Sequence, residues 1–174
     1  RISLSTVGGI SDREIESIIA ARPYVDLADF FRRSGAAMPT IESLILTGAF
    51  DAIHNLASTK LNRRDLLLHL SDLQQGPAQV ISGSQLTFGF APPALIPSGL
   101  PELRASEKVQ HEIERLGMDV THHMIEFYGE FLNAIGAVRS CELLKQRSRT
   151  SILVAGVKVM LQTPPVRSGK RVIF

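Results

Sequence analysis

Ser11 and Glu14 stand three residues apart directly behind the pair Gly8-Gly9, and they constrain the start of this chain more tightly than any other feature. A serine followed three residues later by a glutamate is a capping box: the serine oxygen takes a free N–H of the first helical turn while the glutamate reaches back to the serine N–H. Behind the box, Ile15, Ile18 and Ile19 fall at the three-and-four spacing of one helix face, and Pro23 disfavours a helical residue before it. The spacing predicts a helix over 12–22. Val7-Gly8-Gly9-Ile10 is too short for a strand and suits a tight turn. A hairpin therefore feeds a helix.

A second unit of the same plan follows. Leu27, Phe30 and Phe31 mark a short helix over 27–33, Ser34-Gly35 breaks it, and Pro39, whose missing N–H is harmless in a first turn, opens another over 39–46. Thr47-Gly48-Ala49-Phe50-Asp51 closes that helix, with Gly48 free to take a left-handed cap and Phe50 folding back on the apolar face. The two units form a pseudo-repeat. An amphipathic helix over 62–73 turns Leu66, Leu67, Leu70 and Leu73 inward and carries Arg63 and Arg64 in its first turn.

Regularity then stops. Residues 74–105 are rich in glycine, proline and serine and read as an extended surface linker, in which alternating apolar residues over 84–90 form one short strand or hook. Helices are predicted over 106–116, 121–135 and 140–146, the first two ending at Gly117 and Gly136. The tail changes period: 152–163 is rich in Val, Ile and Leu, Ser168-Gly169 turns the chain, and 171–174 resumes. That is a strand pair with a basic turn, and two strands alone leave open edges, so a larger β domain is expected to continue them. The opening Arg1 in place of a methionine likewise reads as a piece of a longer protein.

Charge is distributed unevenly behind a formal net charge of +2. Residues 137–174 carry eight basic side chains against Glu142 alone, a face for phosphate, whereas 66–136 carry three basic against eight acidic, a face for water or a basic partner. The longest apolar runs fall far short of the roughly 18 residues a membrane helix needs, so a soluble, cytoplasmic protein with no membrane partner is expected. Cys141, the one cysteine, excludes an internal disulfide and a thiolate zinc site, and reads as a small, partly buried apolar residue. His122-His123 beside Asp119 lacks further ligands at a zinc spacing, and the pairs Asp26/Asp29 and Glu112/Glu114 read as solvated helix faces.

A glycine hairpin at a helix N-terminus directs free N–H groups and the positive helix end toward one point, which holds a phosphate without reading a base. Gly8, Gly9, Ile10 and Ser11 fit that description. The stretch from Leu4 to Ser11, then Ile15, Ile18, Ile19 and Arg22, then Leu27-Ala28-Asp29-Phe30 and Leu44-Ile45-Leu46-Thr47-Gly48-Ala49-Phe50-Asp51, resembles the tandem helix-hairpin-helix region of bacterial C-family DNA polymerases, the DNA polymerase III alpha subunit family. Leu116-Gly117-Met118-Asp119-Val120-Thr121-His122-His123 resembles the family segment leading into an OB-fold domain, and 153–159 and 163–174 are similar to that domain's first two strands, in the wording of the error-prone branch.

The resemblance implies a mainly α fold: a tandem helix-hairpin-helix DNA-binding domain over 1–73, a linker over 74–105, a helical connector over 106–150 and an incomplete β (OB-fold) segment over 151–174. It implies sequence-independent binding of double-stranded or primer-template DNA in a damage-tolerant polymerase. The first hairpin is Gly8-Gly9-Ile10-Ser11, with Ser11 where the family has a second glycine, and the second is Gly35-Ala36-Ala37-Met38, with Gly35 alone. Arg13, Arg32 and Arg33 would supply phosphate contacts. In the OB segment Lys158, Arg167, Lys170 and Arg171 would track single-stranded DNA, although Phe174 is its only aromatic for base stacking. The catalytic aspartates of the family lie upstream, so no polymerase activity and no cofactor are expected of this chain, while the parent polymerase is expected to use Mg. Alternative readings are a module that docks polymerase accessory proteins through the acidic middle and the proline-rich linker, or the same region of a replicative polymerase alpha subunit. A stand-alone nuclease or glycosylase would need a catalytic lysine or aspartate beside the hairpin.

Overall fold

In a computed structural model of the protein the described residues are 2–75 and 93–158. They form two compact units, Arg1–Thr121 and His122–Phe174. The first contains a 3-10 turn, Leu4–Thr6, and five helices: α1 (Asp12–Ala20), α2 (Leu27–Arg33), α3 (Met38–Leu46), α4 (Arg63–Gln75) and α5 (Ala105–Leu116). The second contains a 3-10 turn, Met124–Tyr128, a short helix α6 (Gly129–Ala134) and a further 3-10 turn, Ser140–Lys145. No helix among the described residues is long and apolar enough to cross a membrane.

The core of the first unit gathers one to three apolar residues from every helix: Ile18 of α1, Leu27 and Phe30 of α2, Ile41, Leu44 and Ile45 of α3, Leu66 and Leu70 of α4, and Leu116 of α5, with Val7 and Phe50 from the turns. Phe30 packs in this core edge-on to Tyr24 at 4.7 Å and to Phe50 at 5.1 Å, geometries worth about 0.5–1.5 kcal/mol each beyond their burial. Ile19 departs from the predicted apolar face and is half exposed. One residue on from Ile18 is a rotation of about 100°, which carries Ile19 past the edge of the contact.

The end of α3 is built around one guanidinium. Gly48 takes φ +85, Thr47, Gly48 and Ala49 return their amides to Ser43, Ile45 and Leu44, and Phe50 drops into the core. Arg63, 4% exposed at the start of α4, fills the space beside Gly48, pairs with Asp51 through Nη2 at 2.7 Å, and donates from Nη1 to the Leu46 carbonyl at 2.6 Å. Asp51 is thus one wall of an arginine socket whose floor at Gly48 must lack a Cβ.

The described part of the predicted linker, 93–104, is irregular yet tied to the helices. Ser98 donates its backbone N–H and hydroxyl to buried Asp65, and Asn62 donates to the Leu100 carbonyl at 2.7 Å. Burial would raise the Asp65 pKa, but the donors from Ser98 and Asn62 outweigh it and hold the carboxyl below its ordinary value. Leu95 packs on the core and Leu103 is buried. Helix α5, drawn from sequence as part of a connector, belongs to the first compact unit. The hook expected over 84–90 lies outside the described residues.

The helix expected over 121–135 does not start at Thr121. Glu112, buried on α5, accepts the amides of Val120 and Thr121 through Oε2 at 2.8 and 2.9 Å, which binds this stretch to α5 and leaves His123 to cap the turn that follows. Within the second unit the described residues 151–158 form no strand, and Leu153 meets the rest of the unit by accepting the Val138 amide at 2.8 Å. Residues 159–174, with the strand pairing and OB segment expected there, lie outside the described residues. Cys141 is exposed instead of partly buried, because Ser140–Lys145 is a surface 3-10 turn.

Histidine chemistry makes the first unit sensitive to acid. His54 Nε2 accepts the Leu27 amide at 3.1 Å and so serves as a cap of α2, which requires a neutral ring. Burial holds the pKa values of both His54 and His69 below the ordinary histidine value. Depressed values mean that the unfolded chain takes up protons first as pH falls, so stability is complete above about pH 6.5 and is lost below it. Urea denaturation at pH 7.5, 6.5 and 5.5 should show the midpoint falling with pH. His54→Gln, which retains an acceptor but no titration, should flatten part of that slope; an unchanged slope would remove His54 from the account.

Candidate nucleic-acid interface

The first hairpin joins the Leu4–Thr6 turn to α1, and its backbone amides are not equivalent. The Gly8 N–H donates to the Arg115 carbonyl at the end of α5, 2.7 Å away, and a Cβ on Gly8 would stand 3.2 Å from that same oxygen. Gly8 is therefore a close-approach glycine that seats the hairpin on α5, and its amide is not a phosphate donor. Ile10 returns its amide to Val7 at 3.3 Å, and Ser11 gives its own to Glu14 at 2.9 Å, the capping box formed in full. That leaves Gly9, Asp12 and Arg13, whose amides make no hydrogen bond among the described residues. Gly9 lies at φ +83 with open space around the position of a Cβ, so the hairpin tip is bare backbone facing solvent at the positive end of a nine-residue helix.

The three arginines assigned to phosphate divide. Arg13 on α1 and Arg32 at the end of α2 are exposed and make no ion pair among the described residues. Arg33 is committed within the protein: Nη1 donates to Asp29 at 2.7 Å and to the Pro23 carbonyl at 3.1 Å, Nη2 donates to the Ala21 carbonyl, and the guanidinium lies 5.3 Å from the centre of the Tyr24 ring. It closes the end of α1 against α2, so its expected role at phosphate gives way to a structural one.

The second hairpin is organised around Glu14 and Ser17 of α1. Gly35 takes φ +66, and a Cβ there would lie 3.1 Å from Ser17 Oγ, which itself donates to the Ser34 carbonyl at 2.6 Å. Ala36 gives its amide to Ser34 Oγ at 3.2 Å. Glu14 Oε1 accepts the Ala37 amide at 2.9 Å and the Thr40 hydroxyl at 3.0 Å, while Oε2 accepts the Ser11 amide at 2.9 Å and hydroxyl at 2.7 Å. Four donors on one carboxylate, the Ala37 amide foremost, lower its pKa from 4.5 to about 2. The sequence announces Glu14 as a local cap. Its reach to a residue 23 positions away has no periodic signal, and neither has the seat that Arg115 provides for Gly8.

Lys158 is exposed in the second unit, and Arg167, Lys170 and Arg171 lie outside the described residues. Among the described residues no three His, Cys, Asp or Glu side chains come together as a metal site. His122 pairs with Glu126 at 3.2 Å.

Two hairpins, each preceding a helix and both built against α1, are the geometry of a known motif. Residues 1–66 match the family model described as a helix-hairpin-helix motif. This part of the chain is a helix-hairpin-helix region. The chain as a whole is similar to stretches of bacterial DNA polymerases. It is 33% identical over 190 residues to an error-prone DNA polymerase of Symbiobacterium thermophilum, an alignment covering 100% of this chain and 18% of that protein. It is 28% identical to an error-prone DNA polymerase of Corynebacterium diphtheriae, over 97% of this chain and 15% of the relative. It is 32% identical to a DNA polymerase III subunit alpha of Staphylococcus epidermidis, over 72% of this chain and 12% of the relative. The chain thus spans less than a fifth of the length of these polymerases. Among its described residues the regular structure of the helix-hairpin-helix region is helical, and the hairpin tip at Gly9 is exposed.

Proposed function

We propose that this chain is a sequence-independent DNA-binding region of an error-prone bacterial DNA polymerase engaged in damage-tolerant synthesis. One observation carries the reading: Gly9, Asp12 and Arg13 present three unsatisfied amides at the positive end of α1, with the exposed Arg13 side chain beside them. Amides and a guanidinium hold phosphate oxygens through charge and geometry that every nucleotide shares, so such a site grips duplex or primer-template DNA without reading bases. The error-prone parentage rests on relatives of that name that cover the chain from end to end. The magnesium-dependent transfer of nucleotides belongs, in this reading, to other parts of a much longer polymerase in the cytoplasm. Lys158, with Arg167, Lys170 and Arg171, is assigned to a single strand in an OB-type segment.

The test is a pair of variants that differ only in charge. Asn and Asp both tolerate the left-handed backbone that Gly9 adopts, so Gly9→Asn and Gly9→Asp impose the same strain and only the second sets a negative charge against phosphate. Fluorescence anisotropy with a primer-template duplex should show Gly9→Asp binding about tenfold more weakly than Gly9→Asn, as a repulsion of roughly 1.4 kcal/mol requires. Wild-type affinity should fall with salt, with a slope of about −0.9 per phosphate neutralised. Equal affinities for the two variants would move the grip away from the hairpin.

A further inference from the structure

Resting on that reading, we infer that Arg115 is a positioning residue of the DNA grip: from α5, outside the matched residues 1–66, it braces both halves of the tandem motif and fixes the spacing of the two hairpins. Each hairpin leaves backbone donors open. The amides of Gly9, Asp12 and Arg13 in the first, and of Gly35 and Met38 in the second, make no hydrogen bond among the described residues. Two sets of donors reinforce each other on one duplex only when both can be engaged at once, which makes the spacing between them part of the affinity.

Arg115 reaches the two halves with different atoms. A helix end leaves its last carbonyls without partners, and the Arg115 carbonyl, in the final turn of α5, takes the Gly8 amide of the first hairpin at 2.7 Å. Its Nη1 donates to Oγ of buried Ser43 on α3 at 3.1 Å. Ser43 Oγ in turn donates to the Pro39 carbonyl at 2.7 Å, in the first turn of α3 and next to the second hairpin. The brace is itself anchored: Leu116 lies in the core with Val7 and Leu44, Gly117 at φ +71 returns its amide to Ile113 at 3.0 Å, and Glu112 takes the amides of Val120 and Thr121. The motif by itself, ending at residue 66, lacks this support.

Two substitutions that act on one bond from opposite sides test the brace in the full chain. Arg115→Met removes the guanidinium and its charge, whereas Ser43→Ala removes the acceptor and leaves the charge. Fluorescence anisotropy with a primer-template duplex should show each weakening binding about fivefold, or roughly 1 kcal/mol. The double variant should bind no more weakly than the worse single one, as the two partners of one contact require. Arg115→Lys, which still carries a donor for Ser43, should recover most of the loss. In the DNA-free, 15N-labelled Ser43→Ala protein the Gly35 and Met38 amides should shift while those of α6 hold, which separates a displaced hairpin from general unfolding. A loss with Arg115→Met but none with Ser43→Ala would make Arg115 itself a phosphate contact and overturn the brace, as would additive losses or undiminished affinity in both. A wild-type chain that binds no duplex would overturn the DNA-binding reading, and the brace with it.

Discussion

Arg63→Ala is expected to destabilise the helix-hairpin-helix region by about 3 kcal/mol, because it removes a buried guanidinium that satisfies both a helix-end carbonyl and a carboxylate. Arg63 donates to Leu46 and pairs with Asp51 from a socket in which it is almost wholly buried. Without it the Leu46 carbonyl loses that donor, while Asp51, 37% exposed, can turn to water. Asp51→Asn should accordingly cost less than Arg63→Ala. Gly48→Ala should cost about as much as Arg63→Ala, for a compound reason: φ +85 disfavours any Cβ by about 1–2 kcal/mol, and the added carbon would overlap Arg63 Nη2 and sit 3.0 Å from Cζ. Urea denaturation of the two single variants and the double variant tests the account. Once the guanidinium is gone, Gly48→Ala should add only the backbone penalty, so the double variant should be more stable than additivity predicts. Strict additivity would show that the socket and its arginine are not coupled.

Glu14→Ala should lower stability by about 2 kcal/mol, since two amides and two hydroxyls lose a charged acceptor at a site that water reaches on one side. The effect carries a pH signature of definite sign. A folded pKa of about 2 against an ordinary value of 4.5 means that the ionised carboxylate favours the folded state. The stabilisation is therefore complete above about pH 4.5 and is lost as pH falls from there toward 2. Thermal unfolding followed by circular dichroism should show wild type and Glu14→Ala separated by a constant Tm difference at pH 6 and above, with the curves converging below pH 4.5. A difference independent of pH would mean that the methylenes of Glu14, and not its charge, hold the two hairpins together. This acid limb lies well below the histidine range of His54 and His69, so the two effects separate on the pH axis.

Local chemistry alone determined the positions of α1 to α5. Ser11 with Glu14 starts α1, Pro39 falls in the first turn of α3, Gly48 closes α3 and Gly117 ends α5, and these signals are legible because caps, prolines and left-handed glycines act over three or four residues. The inward turn of Leu66 and Leu70 was equally legible, being a matter of period. The second unit was less so: the apolar pattern of 121–135 predicts a longer helix than forms, because Glu112, distant in period, claims the Val120 and Thr121 amides. Only the tertiary structure decided which of the candidate site residues are open. Gly8 and Arg33 have the residue types of a phosphate grip, yet Arg115 and the end of α1 take their donors, and Glu14 takes the Ala37 donor that the second hairpin would offer. The physical reason is that a hydrogen-bond donor is a resource of one atom, and whether a neighbour far along the chain has already engaged it is a fact of packing that no local pattern encodes.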